Sequence, residues 1–247
     1  MMGSSNKVAE VTLLFWIIKI IATTLGETAG DLLSMTMNVG YGMSTLILMG
    51  LFLLTLILQL KSETFHPALY WTVILTTSTA GTTFSDYMDR TLGLGYAAGS
   101  LILVSTLISV LTLWRLSEKT LSVSNINNLR TELFYWCAIL VSNTLGTALG
   151  DYLADDSGLG FLGGAILIGS NIAIIAMLSI FTRLSRVFLF WVAFVLTRPF
   201  GATFGDLLTK PMVDGGLGFG TVGSSAILAI SFMMFVIFVS YKPVKVN

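Results

Sequence analysis

The sequence predicts an all-α polytopic membrane protein of eight transmembrane helices, built as four parallel two-helix repeats in two duplicated four-helix halves. Three observations predict it. Over half of the 247 residues are hydrophobic, only 11% are charged, and the mean hydropathy is +0.87, too little charge to cover a soluble domain of this size. A motif recurs four times: "LGETAGD" (25–31), "AGTTFSD" (80–86), "LGTALGD" (145–151) and "FGATFGD" (200–206). Around these motifs run apolar stretches of about 20 residues, the length that crosses a bilayer as a helix.

Each repeat begins with an aromatic residue and a tryptophan: Phe15–Trp16, Tyr70–Trp71, Tyr135–Trp136 and Phe190–Trp191. Fifteen residues after each tryptophan stands an aspartate: Asp31, Asp86, Asp151 and Asp206. Ten residues after the first three aspartates a glycine–aromatic pair opens the second helix, at Tyr41, Tyr96 and Phe161; the fourth repeat reaches "GLGFG" later, so its connection is longer. The predicted spans are 11–35 and 41–60, 67–89 and 95–115, 131–153 and 160–182, and 186–208 and 218–240. Trp114 alone stands outside the tryptophan pattern.

Asp31 to Asp151 and Asp86 to Asp206 are both 120 residues, so the chain reads as a duplication. Residues 1–116 form a first half (repeats 11–60 and 67–115), the polar stretch 117–130 a cytoplasmic linker, and 131–247 a second half (repeats 131–182 and 186–240). The opening "MMGSSNKVAE" reads as a short tail, without a cleavage-like site. With eight spans both termini share a side. On it fall Lys7, Lys61, Arg115, Lys119, Arg130, Arg183, Arg186, Lys242 and Lys245; the opposite loops hold Arg90 and Lys210 beside Asp89, Asp155, Asp156 and Asp214. The positive-inside rule places both termini in the cytoplasm and makes the repeats parallel.

In lipid, helices associate where small residues let backbones approach. Gly26/Gly30, Gly146/Gly150 and Gly201/Gly205 are such pairs, with Gly81/Ser85 their equivalent. Packing does not require aspartate, however. The tryptophans fit an interfacial aromatic belt, and fifteen residues of helix put each aspartate about 22 Å above it. The plain alternative is that the acids mark wet outer helix ends, but a charge merely tolerated near lipid has no reason to recur at one offset in every copy.

Four and eight residues before each aspartate lie on its helical face. At minus eight stand Thr23, Ser78, Asn143 and Arg198, and at minus four Glu27, Thr82, Thr147 and Ala202. Thr23, Ser78, Asn143, Thr82 and Thr147 therefore form a polar path if the glycines draw the four helices together. Asp31, Asp86, Asp151, Asp206 and Glu27 are the candidate metal or proton ligands. This all-oxygen set suits hard cations such as Mg²⁺, Mn²⁺ or Ca²⁺, or protons; Met35, Met37 and Met88 offer softer thioethers or plain packing. Five acids against two membrane-embedded cations, Lys19 and Arg198, need protons, pairing or a bound cation. Lys19 and Arg198 thus tune the charge, and Pro199 permits a kink in the last repeat.

The segments "TLLFWIIKIIATTLGETAGD", "ELFYWCAILVSNTLGTALGD" and "FWVAFVLTRPFGATFGD" resemble a bacterial family of integral membrane proteins built from a repeat of unknown function, often labelled membrane-anchored proteins. The resemblance covers nearly the whole chain and implies a bacterial inner-membrane location, with no reaction attached. Ser85 in the second repeat and the long fourth loop depart from the pattern.

The expectation is a transporter for a hard divalent cation of the Mn or Mg class, proton-coupled and exporting. The alternatives are a cation or proton channel, or a carrier of small organic solutes gripped by Arg198 or Lys19. Expected partners are the lipid bilayer, the cation and protons, with a homo-oligomer compatible and no cofactor. Zero net charge argues against nucleic acid. A single Cys137 and a single His66 exclude disulfides and a Cys/His metal cluster within one chain, and no nucleophile–base pair or phosphate loop suggests an enzyme.

Overall fold

The computed structural model describes residues 6–241, so the start of the tail and Lys242 and Lys245 lie outside the described residues. Among the described residues there are eight long helices and no strand: α1 Leu13–Asp31, α2 Tyr41–Lys61, α3 Pro67–Asp86, α4 Tyr96–Glu118, α5 Leu129–Asp151, α6 Gly160–Phe181, α7 Arg186–Thr209 and α8 Thr221–Tyr241. Their starts have local causes. The Thr12 hydroxyl accepts from the Phe15 N–H to begin α1, and Pro67 occupies the first turn of α3, where its missing N–H costs nothing. The Asn128 side chain accepts from the Thr131 N–H at 2.9 Å, so α5 begins inside the stretch expected to be linker. With α4 running on to Glu118, the non-helical join shrinks to about 119–128, apart from a single turn at Val123–Asn125.

The first helices of repeats one to three end alike. Directly after the aspartate comes a five-residue π turn (Leu32–Thr36, Tyr87–Thr91, Tyr152–Asp156), then two left-handed positions. Those positions are Asn38 and Gly40, Gly93 and Gly95, and Gly158 and Gly160, with φ between 55° and 80°; the second of each pair is always glycine, the residue that adopts this geometry without penalty. Repeat four lacks the π turn. Its α7 stops at Thr209, and Met212–Asp214 makes a separate turn before the equivalent Gly218 and Gly220.

The four first helices make an inner ring: α1 packs on α3, α3 on α5, α5 on α7, and α7 on α1. The second helices form an outer layer displaced by one repeat, α2 lying on α3, α4 on α5, α6 on α7 and α8 on α1. The sequence halves therefore interlock instead of forming separate bodies. Side chains meet their counterparts at equal register, so the repeats are parallel about a pseudo-fourfold axis. The outer layer turns Leu46, Leu53, Leu101, Ile166, Ile227 and similar side chains outward.

Among the described residues seven helices are long and apolar enough to cross a membrane, the pattern of a multi-pass membrane protein. The exception, α3, is threonine-rich ("TTSTAGTTFSD") and largely buried among its neighbours. A helix shielded on most sides by protein does not need a lipid-compatible surface.

A layered polar column on the pseudo-fourfold axis

The glycine motif works as a cyclic seam. The first small residue of each repeat lies against the minus-eight residue of the next: Gly26 on Ser78, Gly81 on Asn143, Gly146 on Arg198 and Gly201 on Thr23. Three of the second small residues meet the minus-four residue in the same way, Gly30 on Thr82, Gly150 on Ala202 and Gly205 on Glu27. A Cβ on Gly201 would sit 2.8 Å from the Thr23 backbone carbonyl carbon, and one on Gly81 3.0 Å from the Thr144 nitrogen. The backbone and first side-chain atoms of the minus-eight residues are therefore held in the interhelical joints. The Thr23 hydroxyl donates across one of them to the Thr197 carbonyl at 3.1 Å.

This packing draws the minus-four side chains together. Glu27 Oε2 accepts from Arg198 Nη1 at 2.9 Å and from the Thr82 and Thr147 hydroxyls at 3.3 Å each, while Arg198 Nη2 contacts both threonine oxygens. Arg198 and Glu27 are 0% and 3% exposed. One guanidinium thus reaches from α7 to α1, α3 and α5, across the axis.

All four aspartates are buried one turn above, and they divide into two cation-bridged pairs. Arg90 binds Asp86 at 3.0 Å and Asp151 at 3.1 Å; Lys210 binds Asp31 at 2.8 Å and Asp206 at 3.1 Å. This corrects the count of acids against only Lys19 and Arg198. Arg90 and Lys210, read from sequence as outer-loop residues, fold back over the carboxylates. Each lies four residues after an aspartate, the spacing that places two helical side chains together, and that was the available signal. Burial disfavours the Lys210 ammonium, but Asp206 and Asp31 outweigh this and hold its pKa above the usual lysine range. Of the methionines, Met35 reaches Lys210, its Sδ being 3.9 Å from Nζ, while Met37 is exposed and Met88 packs against the core.

One carboxylate oxygen from each of Glu27, Asp31 and Asp206 lies within 4.8 Å of the others. Asp86 and Asp151 belong to the opposite pair. Ser85 donates to Asp89, a buried acid beside Gly99 that sequence reasoning did not single out.

Below Arg198, Lys19 is fully buried in the layer of Ile74, Ile139 and Phe194. Its ammonium lies 4.0 Å from the Phe194 ring centre and 3.4 Å from Asn143 Oδ1. Asn143 in turn donates to the Thr77 hydroxyl at 3.1 Å.

The aromatic pairs do not form the lipid-facing belt expected of them. Trp71, Trp136 and Trp191 are buried, and each leading aromatic packs on the next repeat's tryptophan: Phe15 on Trp71, Tyr70 on Trp136, Tyr135 on Trp191 and Phe190 on Trp16. The Tyr70 and Tyr135 hydroxyls share a hydrogen bond of 2.6 Å. The ring closes the bundle because bulky side chains at equal register point toward a common axis, which a pattern of spacings alone does not reveal. Beyond it, Lys7 of the tail pairs with the buried Glu132 at 2.5 Å, and the Gln59 amide donates to both residues.

Residues 14–65, 69–120, 134–185 and 189–242 each match a family described as a Repeat of Unknown Function (DUF347). No curated protein and no solved structure matches the chain.

Proposed function

The chain belongs to the DUF347 repeat family, and from that premise we propose that it is a transporter for a hard divalent cation of the manganese or magnesium class, working as a proton-coupled exporter. We place it in the bacterial inner membrane with both termini in the cytoplasm, so that the aspartates lie toward the outer face. In this reading it is a carrier, not an enzyme.

The observation that carries the proposal is the charge of the outer column. Six buried carboxylates (Glu27, Asp31, Asp86, Asp89, Asp151 and Asp206) meet four cations, Lys19, Arg90, Arg198 and Lys210. Two negative charges remain, which one divalent cation or two protons neutralises. Glu27, Asp31 and Asp206 supply convergent oxygens, with Thr82 and Thr147 adding neutral donors at Glu27. Lys210 is the group a cation must displace. It is tethered just past the end of α7 and 21% exposed, so it can withdraw toward the outer loop. Arg198 holds Glu27 in the cation-free state, and Pro199 beside it gives α7 a place to bend. The aromatic ring closes the cytoplasmic end, as a carrier open to one side at a time requires.

The fourfold arrangement also suits a channel with an outer acidic ring. Arg198 lies across that path, however, and conduction requires its removal; this favours the carrier. The experiment is reconstitution of the full chain in liposomes with metal-sensitive and pH-sensitive dyes inside. Mn²⁺ or Mg²⁺ flux is expected to drive opposite proton movement, and Asp31→Asn, Asp206→Asn and Glu27→Gln to lower it at least about tenfold. Absence of flux for Mn²⁺, Mg²⁺, Ca²⁺, Co²⁺, Ni²⁺, Zn²⁺ and Cd²⁺ would sink the proposal, and flux with no proton countermovement would support the channel.

A further inference from the structure

At the tryptophan end, between α4 and α7, lies a cavity of about 610 Å³ that the axial column does not use. Its depth is apolar, with Leu111, Val192, Val195 and Leu196 among its walls, and its mouth carries Arg115, Lys119 and Ser185. Arg115 and Lys119 are four residues apart, and Lys119 ends α4 in a left-handed conformation. Glu118, beside Lys119 in sequence, is committed to Arg130 at 3.6 Å and to the Thr131 hydroxyl at 3.3 Å. Among the described residues no carboxylate pairs with Arg115 or Lys119, and both are exposed. At the aspartate end, by contrast, Arg90 and Lys210 each bridge two acids. Ser185 caps the 24-residue α7, its hydroxyl accepting from the Phe188 N–H, so the positive end of that helix dipole lies at the same mouth.

We propose that this groove is a binding site for an anionic phospholipid of the inner leaflet. The headgroup phosphate sits between Arg115, Lys119 and the start of α7, and an acyl chain lies along Val192, Val195 and Leu196. Charge complementarity commits the site to an anionic lipid: an apolar trough with two uncompensated cations at its rim matches a phosphodiester above a hydrocarbon chain. The floor includes Trp191, whose indole N–H donates to the Leu121 carbonyl at 3.0 Å, so the lipid touches α7 and the connection between the two halves together. The site rests on the proposed orientation, with the tryptophan end at the inner leaflet, and stands whether or not the chain carries metal ions.

The test is lipid binding to the full chain in detergent, followed by native mass spectrometry during titration with phosphatidylglycerol or phosphatidylcholine. Phosphatidylglycerol is expected to bind at least about tenfold more tightly. R115Q/K119Q should remove that preference, and Val195→Trp, which fills the trough, should reduce binding of both lipids. Lys61, exposed at the end of α2, lines neither this cavity nor the one of about 740 Å³ on the other side of α7; K61Q is expected to leave the preference intact. Equal affinity for the two lipids would overturn the site. So would an unchanged preference in R115Q/K119Q, or an equal loss in K61Q, which would mean diffuse surface charge. Displacement of bound phosphatidylglycerol by millimolar inorganic phosphate would likewise overturn it, by assigning the cations to free phosphate.

Discussion

At the scale of single residues the fold depends on missing atoms. Gly201 meets Thr23 backbone closely enough that an added methyl must move a helix, whereas a Cβ on Gly50 meets nothing within 4 Å. Gly201→Ala is therefore expected to cost about 1–3 kcal/mol, seen as a lowered midpoint in thermal unfolding in detergent, with Gly50→Ala unchanged or slightly raised. Arg198→Met should cost more, about 3–5 kcal/mol, because it strands the Glu27 carboxylate in the core. Adding Glu27→Gln should recover a large part of that loss. A double variant no better than the single one would show that the ion pair is not what the core depends on. The acids, the glycines and Arg198 were legible in the sequence because they repeat or break a repeat at a fixed offset. The bridging roles of Arg90 and Lys210 were legible only as i,i+4 spacings, since the chain's return over its own aspartates depends on how each helix ends.

At the scale of elements, α3 is the informative case. Its length and position in the repeat marked it as a spanning helix, yet its threonines leave it too polar to cross by composition alone. In a translocon insertion reporter, isolated α3 is expected to remain uninserted and isolated α6 to insert fully. Efficient insertion of α3 by itself would contradict the view that its neighbours shield it. The aromatic pairs teach the converse. A tryptophan near the end of an apolar run reads as an interface residue, and only the ring of four inner helices turns Trp71 and Trp136 inward. Periodicity specifies which residues share a face; which face becomes the inside is decided by partners distant in sequence.

At the scale of the whole molecule, the duplication read from the 120-residue spacing does not divide the structure. α4 of the first half covers α5 of the second, and α8 covers α1. Residues 1–116 and 117–247 produced separately are expected to be degraded or to aggregate, each presenting an uncovered inner helix. Produced together, they should co-purify as one complex, because every missing contact is then restored. Stable, monodisperse halves on their own would argue against the interlocked ring.

The one-repeat offset of the outer layer also orders events in time. α1 leaves the ribosome with six helices still to come before α8, yet α8 is the cover that α1 requires. That helix must wait, with one flank bare, until α8 has been made. A chain cut short anywhere before α8 is thus marked at α1, which gives membrane quality control a single place to look.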